Sequence, residues 1–372
     1  MSPERALARI DLGAIERNCA HLRSLLGNGA ELCAVVKADG YGHGAQWCAR
    51  AAVAGGATWL AVASANEAAD LRRHGLESRI LVMGALTGED TGTALEAGAE
   101  VVAWSHEFFD SLERHAPPGA PIRLHVKHDS GMGRLGTKDA GLVRALCEKA
   151  EAHGRIELAG LMTHFATADE PGDEHFPAQL EAFTPLAREL KEACPHLVVH
   201  SANSAATFRE PAAHFDLVRC GIAIYGMDPF GADPAERGLE PALRLESYVA
   251  AVKRFEPGQS AGYGRTWRAG EPTHVGTIPI GYGDGWRRAL SNNADVLVGG
   301  RRYAIAGTVS MDNLTIDLGP ETSVQPGEPA VLIGEQGGER ILAEEVARRL
   351  DTINYEVTCG LSQRVRRFHE HL

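Results

Sequence analysis

The chain has no C-x-x-C pair, no apolar run long enough to cross a bilayer and no excess of positive charge. Its seven cysteines lie scattered along 372 residues, so a disulfide framework or a thiolate zinc site is not expected, and the thiols read as reduced core residues. Without a spanning run, no membrane partner is expected. Residues Met1 to Asn18 are polar and charged and lack the apolar centre of a signal peptide. The formal net charge of −12 argues against nucleic acid or an anionic membrane surface as a partner. There is no low-complexity tract. These absences point to a cytoplasmic globular protein, long enough for one large core and a second domain.

Over the first two thirds, short apolar runs alternate with stretches rich in Ala, Leu, Arg and Glu. The runs are Leu32–Val36, Trp59–Ala63, Ile80–Met83, Val101–Trp104, Ile122–Val126, Leu158–Met162, Leu197–Val199 and Phe215–Val218. Helices are expected between several of them, as at Glu67–His74 and Leu142–His153. Strand followed by helix implies parallel pairing through right-handed crossovers, and eight such units imply a (β/α)8 (TIM) barrel. Near Asp228 the composition changes. Asp228-Pro229-Phe230-Gly231-Ala232-Asp233-Pro234 reads as a linker. Beyond it, Tyr248–Val252, Thr277–Ile280, Val296–Val298, Tyr303–Val309, Leu314–Asp317 and Ala330–Ile333 read as strands of a mainly β domain. A helix at about Ala343 to Leu350, without a Ser or Thr cap at Leu342, interrupts it. The expected division is residues 1–230 for the barrel and 231–372 for the β domain.

The most informative segment is Ala34-Val35-Val36-Lys37-Ala38-Asp39-Gly40-Tyr41-Gly42-His43-Gly44. An apolar strand ends on a lysine, followed by a glycine-rich loop with one tyrosine. An ammonium at a strand end is costly to desolvate. Desolvation also makes the amine nucleophilic and able to condense with an aldehyde cofactor. The glycines let backbone N–H groups approach an anion. A lysine snorkelling above a plain turn fits the same spacing.

Further motifs follow in order: Lys127-His128-Asp129-Ser130-Gly131-Met132-Gly133-Arg134, Thr163-His164-Phe165-Ala166, His200-Ser201-Ala202-Asn203-Ser204 and Val218-Arg219-Cys220-Gly221-Ile222. After these come Gly262-Tyr263-Gly264, Ile280-Gly281-Tyr282-Gly283-Asp284, Ser310-Met311-Asp312 and Asn354-Tyr355-Glu356. Together with the lysine segment, this series resembles the alanine racemases over nearly the whole chain. The resemblance implies pyridoxal phosphate (PLP) carried by Lys37, with Tyr41, Ser204, Tyr355 and the amides of Gly221 and Ile222 at its phosphate, and with His164 and Asn203 also at the cofactor. It implies Arg219 at the pyridine nitrogen, where a side chain with only donors keeps that nitrogen unprotonated. It implies Lys37 and Tyr263 as two bases on opposite faces of the α-carbon, Arg134 and Met311 at the substrate carboxylate, and Lys127 as a lysine that is often carbamylated. No metal is implied. The substrates would be L- and D-alanine, the product would serve peptidoglycan, and the assembly would be a homodimer with shared sites. The chain departs from the family pattern at Gly262, Gly283 and Arg366, where Ser, Ala and Pro are commoner.

Four other readings fit parts of the pattern. One is a racemase of other amino acids, and one is a decarboxylase of basic amino acids on the same fold, against which Arg219 argues because those enzymes place an acidic residue at the pyridine nitrogen. One is a PLP-holding protein without catalysis, against which the β domain with Tyr263 argues. The last is a metal-dependent barrel hydrolase using Lys127 and His164, which would want a His-x-His pair that the strand ends lack.

Overall fold

A computed structural model describes residues 4–27, 29–119 and 121–371. The chain divides into two compact units, one formed by Ile15–Ile224 and the other by Tyr225–Leu372 together with the stretch ending at Ala14.

The first unit is the expected barrel. Its strands are Glu31–Val35, Trp59–Val62, Arg79–Val82, Glu100–Ala103, Ile122–Lys127, Ile156–Met162, Val198–His200 and Leu217–Cys220. The first seven strands pair successively in parallel, and the eighth pairs in parallel with the first. Two backbone bonds link the seventh and eighth, Asp216 N–H to Val199 O (3.0 Å) and Arg219 N–H to Ala202 O (2.9 Å). Both faces of these strands are covered, which is why they read as continuous apolar runs rather than alternating ones. Each expected run falls on a strand, with ends displaced by a residue or two. Ser64 and Glu67 form a capping box that starts helix Ala65–Arg73, and Asp139 caps helix Ala140–Glu151.

The second unit is mainly β. Its largest sheet runs in the order Arg301–Ala304, Asp295–Val298, Pro329–Gln336, Leu243–Tyr248, Leu7–Asp11, Arg366–Glu370, with Glu339–Ile341 added to Pro329–Gln336. Ala251–Phe255, Thr273–Ile278 and Leu314–Gly319 form a smaller sheet. Leu243–Tyr248 and Leu314–Gly319 bury every second residue, the mark of a sheet with one face outward.

Several expectations change here. Leu7–Asp11 belongs with the second unit, not with a barrel domain of residues 1–230. It pairs antiparallel with Leu243–Tyr248 and parallel with Arg366–Glu370. Arg9 lies in this strand and holds Glu246 (2.8 Å) and Glu370 (2.7 Å), while Ala8 and Ile10 are buried; five residues with two charges, Arg9 and Asp11, leave too short an apolar pattern to stand out. The expected strand Tyr248–Val252 is the break between two strands. Tyr303–Val309 ends as a strand at Ala304, with Ile305 bridging to Ile316. Helix Ala343–Arg349 has no side-chain cap, as expected; Glu344 and Glu345 in its first turn and Arg348 and Arg349 in its last suit its dipole instead. Cys359 is exposed rather than a core thiol. Among the described residues, no helix is long and apolar enough to cross a membrane.

Candidate active site

Lys37 follows the first barrel strand and is half-buried. The segment after it is not a loose glycine loop. Ala38, Asp39, Gly40 and Tyr41 have φ between +52° and +62°, making one left-handed helical turn. Such a conformation costs an L-residue about 1–2 kcal/mol, so the surroundings must hold it. Glu67 accepts from Ala38 N–H (2.7 Å) while its other oxygen accepts from Ala63 (2.8 Å) and Ser64 (3.1 Å). Asp39 accepts from Ala45 N–H (3.0 Å). The turn buries Tyr41 against the eighth strand's end, where a Cβ on Gly221 would lie 2.3 Å from the Tyr41 hydroxyl. Ser204 Oγ lies at the same place and accepts from Gly221 N–H (3.0 Å) and Ala223 N–H (3.4 Å). Ile222 is buried and opens the short turn that follows. Asn203 is turned to its own helix, capping Ala206 N–H at 3.0 Å.

Arg219 is 3% exposed. Its Nη2 donates to Thr163 O (2.9 Å), Ser201 O (3.1 Å) and His164 Nδ1 (3.3 Å), and Nη1 donates to His200 Nδ1 (2.9 Å). Among the described residues no protein acceptor meets its Nε–H. Burial pushes the guanidinium down to about 10, still charged at neutrality. Burial, followed by the cations Arg219, Lys127, Arg134 and Lys37, holds His164 well below the usual imidazole range. Because Arg219 donates to its Nδ1, a neutral His164 carries its proton on Nε2. Lys127 ends the fifth strand and is 4% exposed. Burial and then the cations Arg219 and Arg134 push its amine down to about 8. Arg134 stands exposed on a loop fixed by Asp129, which accepts from Gly131 (3.1 Å) and Gly133 (3.0 Å). Lys37, Lys127, Arg134 and Arg219 therefore share one basin, tempered by Asp129. This is a site for anions: a phosphate and a carboxylate fit its charge, and Tyr41 and Ser204 supply neutral hydroxyl groups beside Gly221, whose N–H is given to Ser204 Oγ. The residues present fit PLP.

Tyr263, Met311 and Tyr355 lie on the second unit. Tyr263 is 70% exposed and is fixed through its backbone, with its carbonyl accepting from Thr308 Oγ1 (2.7 Å). Gly262 and Gly264 on either side have φ of +73° and +70°, so glycine at 262 suits a left-handed position. Met311 is exposed, and its carbonyl is taken by Gly283 N–H (2.9 Å). Tyr355 is half-buried in helix Asn354–Cys359. In the sequence His200 stands in a motif without a role of its own and Glu67 only as the start of an expected helix; the Ser64-x-x-Glu67 spacing is the signal for the second.

Two family models match, the alanine racemase N-terminal domain over residues 10–229 and the alanine racemase C-terminal domain over residues 242–369. The alanine racemase of Symbiobacterium thermophilum is 41% identical over 364 residues, covering 97% of this chain and 96% of that one. The solved alanine racemase of Streptomyces coelicolor A3(2) superposes with a TM-score of 0.93 at 39% identity, covering 98% of each chain. That of Bacillus anthracis with bound L-Ala-P gives 0.90 at 37% identity, covering 99% and 95%. Identity at this level, carried through both halves of the sequence, places the chain in the alanine racemase family, as an isomerase acting on alanine.

Proposed function

We propose that the protein interconverts L- and D-alanine with PLP as cofactor and with Lys37 and Tyr263 as the two bases, supplying D-alanine for peptidoglycan in the cytoplasm. Lys37 would hold PLP, Tyr41, Ser204 and Gly221 its phosphate, with Ile222, Asn203 and Tyr355 beside them, and Arg219 Nε–H its ring nitrogen. When bound, PLP supplies the electron sink that acidifies the α-proton. The protein's residues do the rest. Arg134 orients the substrate carboxylate, aided by the Met311 N–H, and suits a planar anion. Lys37 moves the proton on one face of the α-carbon. Tyr263 moves it on the other, where a neutral His164, carrying its proton on Nε2 and backed by Arg219, would lower the cost of a phenolate. Arg219 cannot yield a proton, so the ring nitrogen stays an acceptor, which disfavours transamination. Lys127, as its carbamate, would neutralise the cation excess beside Arg134.

The exposure of Tyr263 and Met311 suits a homodimer in which each β unit completes the partner's barrel mouth. The observation that carries the reading is Arg219, whose two terminal nitrogens are committed to the protein while no protein acceptor among the described residues meets its Nε–H. Borohydride reduction of the yellow protein and peptide mapping test it. A pyridoxyl adduct on Lys37 is the expected result, and an adduct on Lys127 or Lys253 overturns it. Arg219→Glu is expected to slow racemisation and raise the share of transaminated cofactor.

A further inference from the structure

Behind Arg219 the barrel interior holds polar groups that the site itself does not use. Glu100 opens the fourth strand and is 1% exposed, while His125 on the fifth strand and His200 ending the seventh are fully buried. They form an unbroken row: Arg219 Nη1 to His200 Nδ1 at 2.9 Å, His200 Nε2 to His125 Nδ1 at 2.8 Å, and His125 Nε2 to Glu100 Oε2 at 2.9 Å. Arg79 closes the far end, with Nε and Nη2 at 2.6 and 2.9 Å from the two Glu100 oxygens and its guanidinium over the Trp59 ring. Trp59 meets the His125 ring edge-on. The row also needs space. Gly160 pairs with His125 from the adjoining strand, and a Cβ there would lie 2.1 Å from His125 Nδ1.

The two ends fix the direction of every bond between them. An arginine only donates, so His200 Nδ1 accepts. A neutral imidazole then carries its proton on Nε2, which donates to His125 Nδ1. His125 in turn carries its proton on Nε2 and donates to Glu100, since a carboxylate only accepts. An extra proton on either ring would set two donors face to face. Burial, the largest influence, acts to raise the Glu100 carboxyl, but the hydrogen bonds from His125 and Arg79 outweigh it and hold the group at about 2.

We propose that Glu100 is a positioning residue for the racemisation. Through His125 and His200 it fixes the hydrogen-bond direction at Arg219 and so keeps the Arg219 Nε–H aimed at the cofactor ring nitrogen. The last step rests on the function proposed above. The row starts at the N-terminal end of the strands, which in barrels of this kind serves stability, and reaches the end where the chemistry sits.

Neutron diffraction from the deuterated protein tests the row directly. Deuterium is expected on Nε2 of His125 and of His200, and a deuteron on Nδ1 of either ring overturns the proposal whatever Arg219 faces. Glu100→Gln keeps an acceptor oxygen without the charge, and Gly160→Ala pushes the His125 ring aside. Both are expected to lower kcat for alanine about tenfold, the worth of one charge-assisted hydrogen bond, with KM changed by less than about twofold. Both should also shift the visible absorption band of the bound cofactor. An unmoved band and unchanged kcat in both soluble variants overturn the proposal and reduce the row to packing, provided Arg219→Gln shifts the band. If Arg219→Gln also leaves the band unmoved, what has failed is the placement of Arg219 at the cofactor, and the neutron map decides the row.

Discussion

In the barrel unit two cations of the site are buried, Arg219 at 3% and Lys127 at 4% exposure, whereas on the second unit Tyr263 is 70% and Met311 51% exposed. Each burial demands a solution. Arg219 is given four acceptors, Lys127 gives up part of its basicity, and Lys37 is followed by a strained left-handed turn held by Glu67 and Asp39. The second unit offers its residues from the surface, fixed through backbone groups rather than side-chain networks. Tyr282, Ile353 and Phe368 of the same unit are also exposed. The barrel carries its own low-dielectric surroundings. An exposed tyrosine is a poor base in water, since its ordinary pKa is about 10, so the base role proposed for Tyr263 requires a covering surface that brings cations to it.

The strongest test of that contrast removes one proposed base from each region. Lys37→Ala is expected to abolish racemisation. Tyr263→Phe is expected to slow it about a thousandfold, within the range for losing a positioned acid–base group. Exchange of the α-proton should fall far more for L-alanine than for D-alanine in Tyr263→Phe, and the reverse should hold for Lys37→Ala with an added amine. Equal losses for both enantiomers in both variants would point to a single base. If the covering surface is a second copy, mixing the two inactive variants should restore about a quarter of the parent activity. Half the dimers are then mixed, and each of those holds one intact site. No recovery in mixed dimers confirmed by mass would place each site within one chain.

A smaller effect probes the barrel alone. Lys127 titrates at about 8 in the folded protein, against 10.5 ordinarily. Between those values the unfolded chain binds more protons, so stability rises with pH there, and below about 8 the full cost of about 3 kcal/mol is present. Lys127→Met is therefore expected to be more stable than the parent at pH 7 and to lose that advantage by pH 10.5, measured by urea unfolding. Bicarbonate should raise the parent's midpoint and give a carbamate carbon signal with labelled bicarbonate, with neither seen in the variant. A parent–variant difference that stays flat with pH would show that the amine is not held down.

Much of this was legible in the sequence because it depends on pattern. Buried parallel strands are continuous apolar runs, and a lysine or arginine at the end of one is conspicuous, as at Lys37 and Arg219. Strand Leu7–Asp11 was not legible, because it is five residues long and only Ala8 and Ile10 alternate with the charged Arg9 and Asp11. Asn203 sits in a quoted motif, yet its side chain caps a helix, a role that spacing does not separate from ligand binding. The left-handed turn was missed for a sharper reason. Glycine advertises positive φ, but Ala38, Asp39 and Tyr41 adopt it without being glycine, because contacts from elsewhere in the barrel impose it.

That imposed turn gives the finest test of how the barrel prepares its lysine. Glu67 both caps helix Ala65–Arg73 and accepts from Ala38 N–H. Glu67→Ala is expected to cost about 1–2 kcal/mol in urea unfolding, as for a lost cap with a further lost hydrogen bond. It should also lower kcat severalfold, because the residue after Lys37 is released. Glu67→Gln keeps one acceptor oxygen and should fall between. Ser64→Ala removes only the capping half and should cost stability without the drop in kcat. Adding Ala38→Gly to Glu67→Ala should recover part of the stability, since glycine adopts the φ of +52° without the steric cost. A Glu67→Ala protein with parental kcat would mean that the turn holds its shape without this contact, and that the strain after Lys37 is balanced by Asp39 and the packing of Tyr41 alone.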